Sequence, residues 1–179
     1  MTRLQQKYKK EVLIALKDRF GYKNILAVPR IEKVTINTGI GKFMQDEKAV
    51  EEIIKDLTLI AGQKPVFTRA KKAISGFKIR EGLKVGIMVT LRGHRAFDFI
   101  ERLISLALPR SRDFRGLEQK SVDSYGNLNI GLKEQIIFPE ISHENIRNIF
   151  GMQITIKTTA KNHEEGLQLF KLMGFPIKN

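Results

Sequence analysis

Between Ala61 and Arg95 this chain carries nine Lys/Arg and one acid. Lys64, Arg69, Lys71, Lys72, Lys78, Arg80, Lys84 and Arg92 are among them, interleaved with Thr68 and Thr90. Thr35 and Asn37 lie upstream, in another alternating stretch. Ammonium and guanidinium groups neutralise phosphates, while hydroxyls and amides bond to sugar hydroxyls, phosphate oxygens and base edges. The chemistry these residues can perform together is therefore recognition of a polyanion.

Catalytic chemistry finds no comparable concentration. The three histidines, His94, His143 and His163, are far apart and make no metal-ligand spacing. Gly39-Ile40-Gly41-Lys42 invites a phosphate-loop reading, but its glycines are too close and Phe43 stands where a Ser/Thr is needed, so it reads as a turn. Glu51-Glu52 and Glu164-Glu165 read as solvated helix faces. No catalytic residue, metal or cofactor is expected, and the protein is read as not an enzyme.

The formal net charge of +13 on 179 residues favours nucleic acid first and an anionic membrane second. The charge is uneven. Met1–Arg30 holds eight basic and two acidic residues, whereas Ile31–Ile60 holds four and six. With no cysteine, disulfides and thiolate metal sites are excluded. No apolar run approaches membrane-spanning length and the N-terminus lacks a signal-like core, so a soluble intracellular protein is expected. A membrane-surface role for the first helix fits poorly, because its lysines do not segregate opposite an aromatic face.

Elements must hold these groups in place. Leu4, Tyr8, Val12, Leu16 and Phe20 predict an amphipathic helix over Arg3–Phe20, stopped by Gly21. Ile31–Thr38 predicts a strand with Val34 and Ile36 inward and Lys33, Thr35 and Asn37 outward. Asp46 caps a second helix, ended by Gly62. Pro65–Arg69 and Val85–Arg92 form a hairpin around a basic loop whose apolar residues, Ile74, Phe77 and Ile79, have few anchors to a core. Arg95–Leu108 is a third helix ended by Pro109. Arg110–Gly126 reads as a long surface excursion. Asn127–Leu132 and Met152–Thr159 alternate as strands, and Asn162 caps a last helix closed by Gly174. The expected fold is α+β: a largely antiparallel sheet of about five strands, helices packed on one face, and a long basic loop between two strands. No linker composition divides residues 1–179, so a single domain is expected. The open sheet face is polar but lacks the aromatic ladder of single-strand RNA binders, which points to a folded RNA.

Several stretches are specific together: VTINTGIGK, LIAGQKPVFTRAKKAISGFKIREG, VGIMVTLRG, PRSRDFRGL, LKEQIIFPEI and the closing GFP. Across almost the whole chain they resemble the bacterial large-subunit ribosomal protein 5 family. The resemblance implies a cytoplasmic ribosomal protein that binds 5S ribosomal RNA and attaches it to the central protuberance. There 23S ribosomal RNA and neighbouring 5S-binding large-subunit proteins adjoin it. Asn37, Gln63, Thr90 and Arg92 match family positions on the RNA side, and Lys64, Thr68 and Arg69 are taken with them. By the same resemblance the basic loop, with Lys71, Lys72, Ser75, Lys78, Arg80 and Lys84, reaches P-site transfer RNA. Another surface forms an intersubunit bridge to small-subunit protein 13. Arg110, Arg112, Arg115, His143 and Arg147 are candidates for it by loop position. Thr38 and Phe43 receive no role, and Thr155 faces outward without a matched contact.

Overall fold

The computed structural model describes residues 2–44, 46–112, 114–141 and 148–178. Helix α1 runs through Arg3–Lys7, a π turn at Tyr8–Val12, and Leu13–Phe20. Its apolar stripe steps by four residues, which drifts about 40° per step on a pure α-helix. The wider π turn takes up that drift. Leu4, Val12 and Leu16 are therefore all buried, with Tyr8 and Phe20 packed beside them. Gly21 ends the helix at φ 67°, a left-handed conformation that suits glycine.

Helix α2, Glu47–Ala61, starts at Asp46, whose carboxylate accepts from the Ala49 amide at 3.1 Å. Helix α3 comprises His94–Arg102, a π turn at Leu103–Ala107, and Leu108–Arg110. Pro109 thus lies inside the last turn instead of ending the helix. The Leu108 N–H donates to the Leu103 carbonyl, so the chain has left the i to i−4 register that a proline ring disrupts. Helix α4, His163–Met173, is capped by Asn162, which accepts from the Glu165 amide at 2.9 Å. Glu165 is buried, contrary to the solvated face expected of it, and accepts from the Lys161 amide at 2.9 Å. The adjacent Tyr22 phenol is pushed up from its ordinary pKa by burial and by the Glu165 carboxylate.

Five antiparallel strands, β1 Ile31–Gly39, β2 Val66–Arg69, β3 Lys84–Arg92, β4 Leu128–Leu132 and β5 Met152–Thr158, lie in the order β2-β3-β1-β5-β4. Val34, Ile36, Ile87, Val89, Leu91, Ile130, Ile154 and Ile156 point to the buried face and share one core with the helices. Phe99 stacks on Phe138 there, ring centroids 5.9 Å apart. Thr38 also faces inward and is 1% exposed, which places a hydroxyl at the end of the apolar row.

The region after Arg110 is tied down more firmly than its aperiodic sequence suggests. Leu117 pairs with Ile177, Val122 pairs with Leu128, and both Leu117 and Val122 are buried. The Leu117 amide donates to the Pro176 carbonyl at 2.7 Å, and the Lys178 amide to the Leu117 carbonyl at 2.9 Å. Backbone pairing with a distant segment leaves no sequence period, so the tie is not legible in the sequence. Glu52 is likewise no solvated residue: it is half-buried and accepts from the Asn148 side-chain Nδ2 at 3.1 Å. Among the described residues no helix is long and apolar enough to cross a membrane.

Candidate nucleic-acid interface

The site is built by strand register. On the face away from the helices, Thr90 lies opposite Thr35, Thr35 opposite Thr155, and Thr155 opposite Asn129. Neighbouring strands are about 4.8 Å apart, so this row of hydroxyls and one amide spans about 14 Å. The Thr155 hydroxyl donates to the Asn129 side-chain oxygen at 2.8 Å, which fixes that amide and leaves its N–H groups to donate. One row over, Val66, Met88, Asn37, Gln153 and Gly131 align. On the other side Arg92, Lys33 and Lys157 form a basic row. Asn37, Arg92 and Gln153 are exposed, and the three threonines are half-buried with their backbones held in the ladder.

The charge of the basic row is partly offset. Lys157 pairs with Glu32 at 3.0 Å and holds that carboxyl below the usual carboxylate range. Lys33 and Arg92 have no ion pair among the described residues.

The expected residues do not all share this face. Asn37, Thr68, Thr90 and Arg92 do. Gln63 sits at the entrance to β2, where its amide donates to the Thr90 carbonyl at 3.4 Å and accepts from Arg95 at 3.1 Å. It therefore braces the edge of β3. Lys64 is exposed just before β2. Arg69 is off the face by the strand's own alternation: it follows Thr68, shares the side of Phe67 and lines a groove with Glu47, Glu51 and Phe67 on the helix side. The β2–β3 register shift between Thr68 and Arg69 brings Lys84 into the same groove. Alternation also places Thr155 on the face, but Asn129 and Gln153 escape sequence reasoning. The pairing of β4 with β5 brings them there, and no local signal in the sequence gives that pairing.

The basic loop is a finger extending the β2–β3 hairpin. The Ala70 amide donates to the Leu83 carbonyl and the Gly82 amide to the Ala70 carbonyl, both at 2.9 Å. Further out, Ile74 and Ile79 exchange backbone bonds at 2.8 and 3.1 Å across the turn Ser75–Phe77. The loop thus lacks anchors to the core, as expected, but has its own backbone ladder. Lys71, Lys72, Ser75, Lys78 and Arg80 are exposed along it, and Phe77 is 74% exposed at the tip. Lys78 adopts φ 53°. Lys84 belongs to the base, with its ammonium 4.4 Å from the Phe67 ring centroid.

Arg112 and Arg115 open into a cleft at the β4 edge, whereas Arg110 is exposed outside it. His143 and Arg147 lie outside the described residues. Among the described residues no group of three His, Asp or Glu side chains is placed to hold a metal ion.

Comparison with known proteins is consistent from end to end. Residues 84–177 match the family model for the C-terminus of ribosomal protein L5, and residues 24–80 match the one described as "Ribosomal protein L5". The chain is 54% identical over 177 residues to a protein of Thermoanaerobacter sp. (strain X514) named "Large ribosomal subunit protein uL5", covering 99% of each. It is 55% identical over 178 residues to the protein of the same name from Cupriavidus metallidurans, again covering 99% of each. For that of Heliobacterium modesticaldum the identity is 51% over 178 residues, with the same coverage.

Proposed function

The chain belongs to the ribosomal protein L5 family, structural and non-enzymatic components of the large ribosomal subunit, and on that premise we propose that its open sheet face binds 5S ribosomal RNA. Its place in the cytoplasmic ribosome and its role in translation, with ribosomal RNA as partner, follow from the family. The observation that carries the finer reading is the row Thr90, Thr35, Thr155 and Asn129, flanked by Asn37 and Arg92. Donors spaced by a rigid ladder, with no aromatic platform, suit the sugar and phosphate edges of a folded RNA. Binding there attaches 5S RNA to the central protuberance, beside 23S RNA and the neighbouring 5S-binding proteins. The whole chain acts as one unit in this reading, since β1 sits between β3 and β5, both of which belong to residues 84–177.

Two further contacts belong to the same reading. The finger, through Lys71, Lys72, Ser75, Lys78 and Arg80, with Lys84 at its base, meets P-site transfer RNA. The surface around Arg110, Arg112 and Arg115, with His143 and Arg147, bridges to small-subunit protein 13. Their common support is topological: Arg69 pairs with Lys84, Gly39 with Gly86, and Leu132 with Met152, so the finger and the Arg112–Arg115 surface leave the same end of the sheet.

Filter binding to 5S RNA tests the face. Thr90→Val keeps shape and strand propensity while removing the hydroxyl, and Asn37→Ala removes the amide. Each is expected to cost about 1.5–3 kcal/mol, one to two decades in affinity. Wild-type binding by both variants would sink the assignment.

A further inference from the structure

The cleft at the β4 edge is a built site. Arg112, Arg115, Lys133 and Lys178 are all exposed around it, Phe114 is half-buried in its wall, and Glu134 is the one acid among its described residues. It encloses about 540 Å³. Its cations come from three distant segments, and among the described residues none has an ion-pair partner. The geometry is held in advance by the bonds joining Leu117 to Pro176 and Lys178. Gly116, at φ 93°, permits that approach, because a Cβ there would lie 3.0 Å from the Pro176 carbonyl oxygen. Beneath the charges, Leu132 and Ile137 are buried and form an apolar floor.

We propose that this cleft is a protein-docking seat that takes an acidic peptide segment bearing an apolar side chain. The inference rests on the bridge reading given above and deepens it by naming the partner's chemistry. It also adds Lys133, Lys178 and Phe114, and leaves Arg110 outside. Charge complementarity selects an acidic occupant. Peptide suits the seat better than RNA for three reasons. A cleft of this volume does not admit a duplex. Its apolar floor rewards a buried side chain, which a phosphate backbone lacks. Glu134 in the wall can accept from a peptide N–H, a donor that a phosphate backbone lacks.

Fluorescence anisotropy on the full chain tests this with two labelled probes, the peptide Asp-Glu-Phe-Asp-Glu and a uridine hexanucleotide. Lys133→Glu with Lys178→Glu is expected to weaken peptide binding at least ten-fold, with hexanucleotide binding changed less than two-fold. Gly131→Leu provides a second variant: the residue lines the mouth of the cleft and a Cβ there meets nothing within 4 Å, so the added side chain narrows the mouth, and an unchanged melting curve shows that the fold is kept. It too is expected to weaken the peptide. No saturable peptide binding by the wild type, unchanged binding by both variants, or loss of the hexanucleotide in place of the peptide overturns the proposal. Light-scattering assays of subunit association separate it from the bridge reading. If Arg110→Glu and the double reversal leave association intact while peptide binding is lost, the bridge reading fails and the seat stands. If Arg110→Glu weakens association and the double reversal leaves peptide binding unchanged, the seat fails and the bridge stands.

Discussion

The sheet face and the finger are both polar, basic and joined through β2 and β3, yet they are held in opposite ways. Behind the face, Val34, Ile36, Val89 and Leu91 are at most 2% exposed, so each outward group inherits a fixed position from a packed core. Between residues 70 and 83 no side chain is buried, and the finger is held by backbone bonds to itself. Fixed donors can discriminate between ligands, because a misplaced partner leaves them unsatisfied. A finger of exposed charges with Phe77 at its tip offers reach and contact area, and any side-chain ordering on a partner would offset part of its gross affinity. The two regions differ in what they can recognise because they differ in what lies behind them.

The largest effect that tests this contrast is on stability. Ile36→Ala, behind the face, is expected to cost about 2–5 kcal/mol in urea unfolding. Replacing residues 73–82 with a short Gly-Ser turn is expected to change unfolding by less than about 0.5 kcal/mol. Equal losses would mean that the finger is part of the core's cooperative unit. In function the contrast reverses: the Gly-Ser variant should retain 5S binding while losing about ten-fold in transfer-RNA retention on assembled ribosomes, about 1.4 kcal/mol. A collapse of 5S binding with an unchanged melting curve assigns the finger to the 5S site instead.

Salt dependence sharpens the same division. Five or six phosphate contacts give a slope of log affinity against log salt of about −4 to −5 for 5S RNA. The Gly-Ser variant should keep that slope if the contacts lie on the face, and a slope near zero in the wild type would remove the electrostatic footprint altogether. Within the finger, Lys78→Gly relieves a left-handed backbone and is expected to strengthen its ladder by about 1 kcal/mol. Amide exchange at Ile74 and Ile79 should slow roughly five-fold with the global melting temperature unmoved. A shift in global melting instead would couple the finger to the core. The smallest effect is on the face: Glu32→Gln releases Lys157 and should steepen the salt slope by about one unit. An unchanged slope would show that Lys157 meets no phosphate.

Local rules determined much of this molecule from the sequence. Period-two alternation put Asn37, Thr35, Thr90 and Arg92 on an open face, because neighbouring side chains on a strand point to opposite sides. The caps Asp46 and Asn162 and the stops Gly21, Gly62 and Gly174 were legible, because helix ends are satisfied within a few residues. What only the tertiary structure decided was pairing over long separations. Thr35, Thr90, Thr155 and Asn129 form one row because β1 lies between β3 and β5, a choice made by packing of the whole inner face. A register shift between β2 and β3 brought Lys84 into the helix-side groove beside Phe67, although its strand alternation with Met88, Thr90 and Arg92 points outward. Lys178 meets Arg112 and Arg115 because residues 176–178 pair with Leu117, and Lys133 joins them from the end of β4, which its pairing with β5 holds. Periodicity reports which side of its own strand or helix a residue occupies; its neighbours across the sheet are fixed by the free energy of burying all the apolar faces together.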